Sequence, residues 1–115
     1  MLPVPRLSKP GSMPKEVLAV IDAIGNRART EILRHLSAGQ LTVADLAELT
    51  GVDRSWILRH LTVLEELGLV SADHARGDRL GRGRTVLWQT NRDRVVAVAA
   101  IWQAYATDQD HQPGV

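Results

Sequence analysis

The stretch Leu41–Val70, LTVADLAELTGVDRSWILRHLTVLEELGLV, leaves the chain little choice of local structure. Thr42 offers a hydroxyl to an orphan N–H at a helix start, and Asp45, three residues on, completes an acidic variant of the capping box. Val43, Leu46 and Ala47 fall on one helical face. Gly51 is the residue for which a left-handed stop costs least. Val52 then tucks back towards the core, and Asp53 caps a second, longer helix. In that helix Ile57, Leu61, Leu64 and Gly68 share a buried face, opposite Ser55, Trp56, Arg59 and Thr62. The pattern predicts a short helix, a tight turn and a longer helix whose polar side faces outward.

The flanks extend this unit. From Pro14, a good first-turn residue, Val17, Leu18, Val20, Ile21 and Ile24 recur on one helical face, and Gly25 ends the pattern. Asn26 caps a second helix with Ala28, Ile32, Leu33 and Leu36 inward and Arg27, Arg29, Glu31 and Arg34 outward, closed by Gly39. After the central pair, residues 69–74 read as a short strand, 75–83 as a turn-rich tip, and 85–90 as a half-buried strand, together a hairpin. A last helix runs from Asn91 to about Thr107. Its segment 95–102, VVAVAAIW, is apolar nearly all round, which predicts burial on more than one face and a second subunit against one of them. The expected class is mainly α with a small β-hairpin, in one domain over 14–107. Residues 1–13, with Pro3, Pro5, Pro10 and Gly11, read as a disordered arm, and 108–115 as a disordered polar tail. Arg6 and Lys9 in the arm either touch phosphate or are simply solvated.

Charge is informative through its placement. The net charge of the 115 residues is +1. Between Leu41 and Asp73 six acids face two arginines, a balance of −4, whereas between Arg76 and Arg94 six arginines face two aspartates, a balance of +4. Positive charge therefore gathers on the hairpin and just after it. A chain of this length buries a modest core, so a partner subunit that covers apolar surface is expected. The sequence has no cysteine, which removes disulfides, zinc–thiolate sites and thiol redox sensing, and fits a reducing cytoplasm. No apolar run approaches membrane-spanning length, and the proline-broken start does not read as a signal peptide.

A bracing helix followed by one with an exposed polar face is helix-turn-helix geometry, which offers the second helix to the major groove of DNA. Ser55, Ile57, Arg59, His60, Leu61, Leu64 and the Gly-Leu-Val of 68–70 carry a pattern that resembles the ArsR-type winged helix-turn-helix regulators. Upstream, residues 24–36 resemble that family's second helix, with arginine at Arg29 as is common there, although Thr30 stands where leucine is usual. The similarity runs through the hairpin, which would be the wing, to about Tyr105. The resemblance implies a homodimeric, double-stranded-DNA-binding transcriptional regulator in the cytoplasm, on the nucleoid, with an inverted-repeat operator. It also implies dimer contacts from the first and last helices, through Val17, Ile21, Val95, Val98, Ala99, Trp102 and Tyr105.

The candidate DNA-contacting residues are Arg54, Ser55, Trp56, Arg59, His60 and Thr62 on the recognition helix, with Arg76, Arg79, Arg82 and Arg84 on the wing. A guanidinium at Arg59 can pair two acceptors of guanine or clamp a phosphate, unless it is spent on Glu48 or Asp53. Trp56 either packs on the preceding helix or lies against a sugar or thymine methyl. His60 is a groove contact or a structural histidine, and Arg29 pairs a carboxylate or helix end as readily as a phosphate. The wing arginines follow phosphates or enter a narrow minor groove, the alternative being a solvated face.

Other chemistries find little support. The four histidines fall on different elements without i, i+4 pairing. In ArsR-type metal sensors thiolates sit early in the third helix, where this chain has Thr42 and Ala44. On the last helix Asp93 has no histidine before His111, so no metal or other cofactor is expected and the effector is left open. The Gly-Arg-Gly-Arg-Thr of 81–85 lacks the P-loop pattern, with Asp78 at its first glycine and Arg84 at its lysine. No nucleophile or paired-carboxylate signature marks an enzyme. The competing function is a winged-helix module that docks a protein and does not read DNA, to which the acidic character of 41–73 lends some support.

Overall fold

A computed structural model describes residues 13–75 and 85–109. The arm up to residue 12, the hairpin tip with Arg76, Arg79, Arg82 and Arg84, and the tail from residue 110 lie outside the described residues. Helices α1 (Lys15–Ile24), α2 (Arg27–Ala38), α3 (Val43–Thr50) and α4 (Arg54–Glu66) are followed by strands β1 (Val70–Ala72) and β2 (Trp88–Thr90) and by helix α5 (Arg92–Ala106).

The caps expected at Asn26, Thr42 and Asp53 are present, Asn91 caps α5, and α1 starts after Pro14 without a side-chain cap. The Asn26 side chain accepts from the Arg29 N–H, Asn91 from the Arg94 N–H, and Asp53 from the Ser55 N–H. Thr42 and Asp45 form the reciprocal capping box, at 3.0 and 3.1 Å. Gly51 ends α3 in the left-handed region with φ of 73°. Gly68 differs from its expected place on the buried face of α4. The helix stops at Glu66, and Gly68 sits beyond it with φ of 76°. Its N–H donates to the Glu65 carbonyl while the Leu69 N–H donates to that of Leu64, both at 2.9 Å. This is a Schellman stop, which glycine satisfies without a Cβ clash.

The core gathers Val20, Ala23, Ile32, Leu36, Leu46, Ile57, Leu61, Leu64, Leu69, Val70, Trp88 and Val98, drawn from all five helices and the sheet. The strands pair antiparallel, Val70 with Thr90, Ser71 with Gln89 and Ala72 with Trp88. They are shorter than the sequence suggests, but Asp73 and Leu87 prolong the pairing through one backbone bond of 2.9 Å. Leu41 adds a bridge on the other side of β2, exchanging bonds of 3.1 and 2.9 Å with Trp88. Trp88, buried beneath, thereby ties the hairpin base to the turn between α2 and α3.

The apolar face expected for α1 is split. Val17, Val20 and Ala23 are buried, whereas Leu18, Ile21 and Ile24 are exposed. In α5 only Val98 is fully buried within the chain, so this helix keeps broad apolar surface open. An added Cβ at Gly51 would meet no heavy atom within 4 Å, which isolates the backbone contribution at that turn. Gly51→Ala is expected to lower stability by about 1 to 2 kcal/mol, read as a lower urea midpoint with an unchanged m-value.

Candidate nucleic-acid interface

Helix α4 is fixed from below by Ile57, Leu61 and Leu64, none of which retains accessible surface. With those positions inward, 3.6-residue periodicity turns Arg54, Ser55, Leu58, Arg59 and Thr62 outward, and all five are exposed. Leu58, half-exposed at 50%, was not among the expected contacts. Its spacing from Arg54 and Thr62 was the signal for it, masked by its apolar character. Thr62 donates its hydroxyl to the Leu58 carbonyl at 2.9 Å, which leaves the oxygen lone pairs outward as acceptors.

At the N-terminus of α4 the Ser55 hydroxyl donates to the Asp53 carboxylate. That bond, with the Ser55 and Arg54 backbone N–H groups, holds the Asp53 carboxyl below its ordinary range. The cap is therefore ionised at neutral pH, and Ser55 faces solvent as an acceptor.

Arg59 makes no ion pair with Glu48, Asp53 or any other described residue. Its guanidinium carbon lies 4.8 Å from the centroid of the Trp56 ring, a cation–π stack on the surface. Trp56 is 52% exposed, so it lies beneath Arg59 and is not sealed against α3. The stack holds a planar cation in a defined orientation with its in-plane donors free.

His60 is withdrawn from this surface. It is buried with 9% exposure, on the same side as Ile57 and Leu64, three residues before and four after it. The Arg29 Nε donates to His60 Nδ1 at 3.3 Å, which places the imidazole proton on Nε2. Burial, and then the Arg29 charge, push the His60 pKa below its ordinary value. Arg29 also donates to the Asp22 carbonyl at 2.6 Å and pairs its carboxylate at 3.4 Å. Of the roles open to Arg29, the structure shows the structural one, joining the end of α1 to α2 and α4.

Two arginines counted with the late positive charge are likewise engaged. Arg92 donates to the Ser37 carbonyl at 2.8 Å and its hydroxyl at 3.0 Å, and Arg94 to the Leu67 carbonyl at 2.8 Å. Each closes the carbonyl end of a helix, α2 and α4 respectively. At the hairpin base the Leu87 N–H donates to Asp73 Oδ1 at 2.9 Å, and His74 Nδ1 lies 2.7 Å from the same oxygen. The Leu87 N–H first, and His74 second, hold the Asp73 carboxyl low. An ionised side chain thus ties the residue after β1 to the residue before β2.

Away from α4, Ile21, Ala99 and Trp102 are exposed and Val95 and Tyr105 half-buried. Val17 and Val98, also expected at a dimer seam, are buried within the single chain, where α1 packs on α5. They have almost no surface left for a partner, whereas Leu18, Ile24 and Val96 do. Among the described residues no three His, Asp or Glu side chains converge on a metal position, and no helix is long and apolar enough to cross a membrane.

The His60 ring should titrate below 6.5 in an NMR pH series. Because its native pKa is lowered, the unfolded chain takes up the proton first. The stability that neutral His60 contributes is full above about pH 6.5 and is lost as pH falls towards the native value. The gap in unfolding free energy between wild type and His60→Gln should accordingly shrink from pH 7.5 to 5.5.

Residues 26–72 match the bacterial regulatory protein, arsR family. The HTH-type transcriptional regulator NmtR of Mycobacterium tuberculosis is 40% identical over 67 residues, 58% of this chain and 52% of that protein. The chain thus matches about half the length of this curated relative. Among solved structures, an ArsR-like transcriptional regulator from Rhodococcus superposes with a TM-score of 0.65 at 24% identity, over 83% of this chain and 81% of that one. The homodimeric winged helix-turn-helix DNA-binding domain of Mb0332 from Mycobacterium bovis, a possible ArsR-family regulator, gives 0.59 at 20% identity, over 98% and 99%. The fold is a winged helix-turn-helix, and residues 26–72 are similar to the arsR family of bacterial regulatory proteins.

Proposed function

We propose that this chain is a transcriptional regulator of the ArsR type that binds double-stranded DNA as a homodimer in the cytoplasm. The observation that carries the reading is the two-sided character of α4. Its apolar side is wholly buried, and Arg54, Ser55, Leu58, Arg59 and Thr62 stand exposed on the other. Major-groove recognition needs such a row of donors, acceptors and one methyl-bearing side chain. Arg59, oriented by Trp56, is the proposed guanine or phosphate contact. The wing arginines Arg76, Arg79, Arg82 and Arg84 would follow the backbone or minor groove. Support also comes from the relatives, named as regulators, and from the homodimeric state of the Mycobacterium bovis domain.

The dimer would form through Ile21, Ala99, Trp102 and Tyr105, with Leu18, Ile24 and Val96 added. Two-fold symmetry then sets the recognition helices about 34 Å apart, matched to an inverted-repeat operator. We propose the domain as 14–107, with an arm before it and a tail after it. A metal is not the proposed effector, because Thr42 and Ala44 offer no soft ligand.

In a footprinting and binding assay against genomic fragments, Arg59→Ala should weaken operator binding by about 1 to 3 kcal/mol. Arg82→Ala should weaken operator and random DNA alike and flatten the salt dependence. Wild-type binding by both variants, or no protected site at moderate salt, overturns the reading and leaves a protein-docking module. Trp102 is 46% exposed, so Trp102→Asp should spare the fold while shifting sedimentation equilibrium at micromolar concentration from dimer to monomer.

A further inference from the structure

An open groove of about 670 Å³ runs between the end of α1, the outer side of α2 and the first half of α5. That volume lies in the range of small-molecule sites. Its wall is apolar, formed by Ile24, Leu33, Val95, Val96 and Ala99, and its rim carries two guanidiniums, Arg34 and Arg92. Among the described residues no aspartate or glutamate lines it.

The two arginines share one rim for a definite reason. Arg92 reaches across to Ser37 on α2, bonding its carbonyl and hydroxyl at 2.8 and 3.0 Å, and Ser37 lies one helical turn from Arg34. Those two bonds use two of the five Arg92 N–H groups, so the guanidinium is held in place with donors to spare. Arg34 makes no ion pair or hydrogen bond with any described residue. A fixed cation and an adaptable one thus stand over apolar surface with their charge uncompensated.

We propose that the groove binds an apolar monocarboxylate, an anion with one carboxylate head and an aliphatic or aromatic body. The carboxylate would lie between Arg34 and Arg92, taking charge-assisted bonds from both. The body would lie along Ile24, Leu33 and Val95, where the only change in solvation is the removal of apolar surface from water. Neither a neutral alcohol nor a cation of the same shape uses the rim. The site lies away from the outward face of α4, but it shares Ile24, Val96 and Ala99 with the proposed dimer seam, so a ligand and a second copy of the chain would use overlapping surface. An occupant would touch α2 and α5 together.

The test is an NMR titration of the full chain with decanoate, against decanol and decyltrimethylammonium. Saturable amide shifts at Leu33, Arg34, Val95 and Val96 are expected with decanoate, and about tenfold weaker binding of the other two. Arg34→Gln, a change at an exposed position, should weaken decanoate about tenfold, the loss of one charged hydrogen bond. Thr30→Glu, which brings a negative charge to the groove wall in the first turns of α2, should abolish decanoate binding and favour the cationic probe. Equal binding of decanoate and decanol, undiminished binding by Arg34→Gln, or shifts confined to another surface overturns the proposal. So does a groove silent to decanoate because a second copy of the chain fills it.

Discussion

The fixed point of this molecule is the apolar stripe of α4. Ile57, Leu61 and Leu64 lose all their accessible surface, each contributing about 1.5 to 3 kcal/mol by leaving water. Because a helix has one rotational phase, burying those three decides what every other residue of α4 faces. Arg59 reaches solvent for the same reason that Leu61 does not. The exposed row is therefore a consequence of core packing, and its rigidity is inherited from the core.

Arginine does two kinds of work here, and composition alone does not separate them. Arg29 closes the end of α1 on the Asp22 carbonyl, Arg92 that of α2 on Ser37, and Arg94 that of α4 on Leu67. In each case a positive charge meets carbonyl groups at the negative end of a helix dipole, and a long side chain joins elements distant in sequence. Arg29 goes furthest, since the same guanidinium also donates to His60 on α4. Arg54 and Arg59, by contrast, have no anionic partner within the described residues. Counting arginines located a basic region, but only geometry distinguished the spent cations from the free ones.

What was legible in the sequence was local. The capping box of Thr42 and Asp45, the caps at Asn26 and Asp53, the stop at Gly51 and the element order all depend on residues within a turn of one another. Features that rest on long reach were not legible. His60 looks like a neighbour of Arg59 in sequence, yet one residue is a 100° rotation on a helix, enough to carry it to the buried side. Val17 and Val98 belong to apolar runs that look uniform, and only the crossing of α1 on α5 shows which valines are consumed inside the chain. Gly68 fits helical spacing numerically, but its positive φ ends the helix two residues before it. The wing arginines fall outside the described residues, and their role still rests on the charge pattern of the hairpin.

The open apolar faces of α1 and α5 have a consequence for the rest of the chain. Val96 is 69% exposed and Trp102 46%, with Leu18, Ile21 and Ile24 also exposed, so α1 and α5 both leave large apolar side chains in water. Burial of a second copy there would remove from water what the small core cannot. The same two helices are tied inward, α1 through Asp22, Arg29 and His60, and α5 through Arg94 and Leu67. Both ties end on α4, one at its middle and one at its C-terminus. The placement of α1 and α5 is thus fixed relative to α4 by side-chain hydrogen bonds as well as by the shared core.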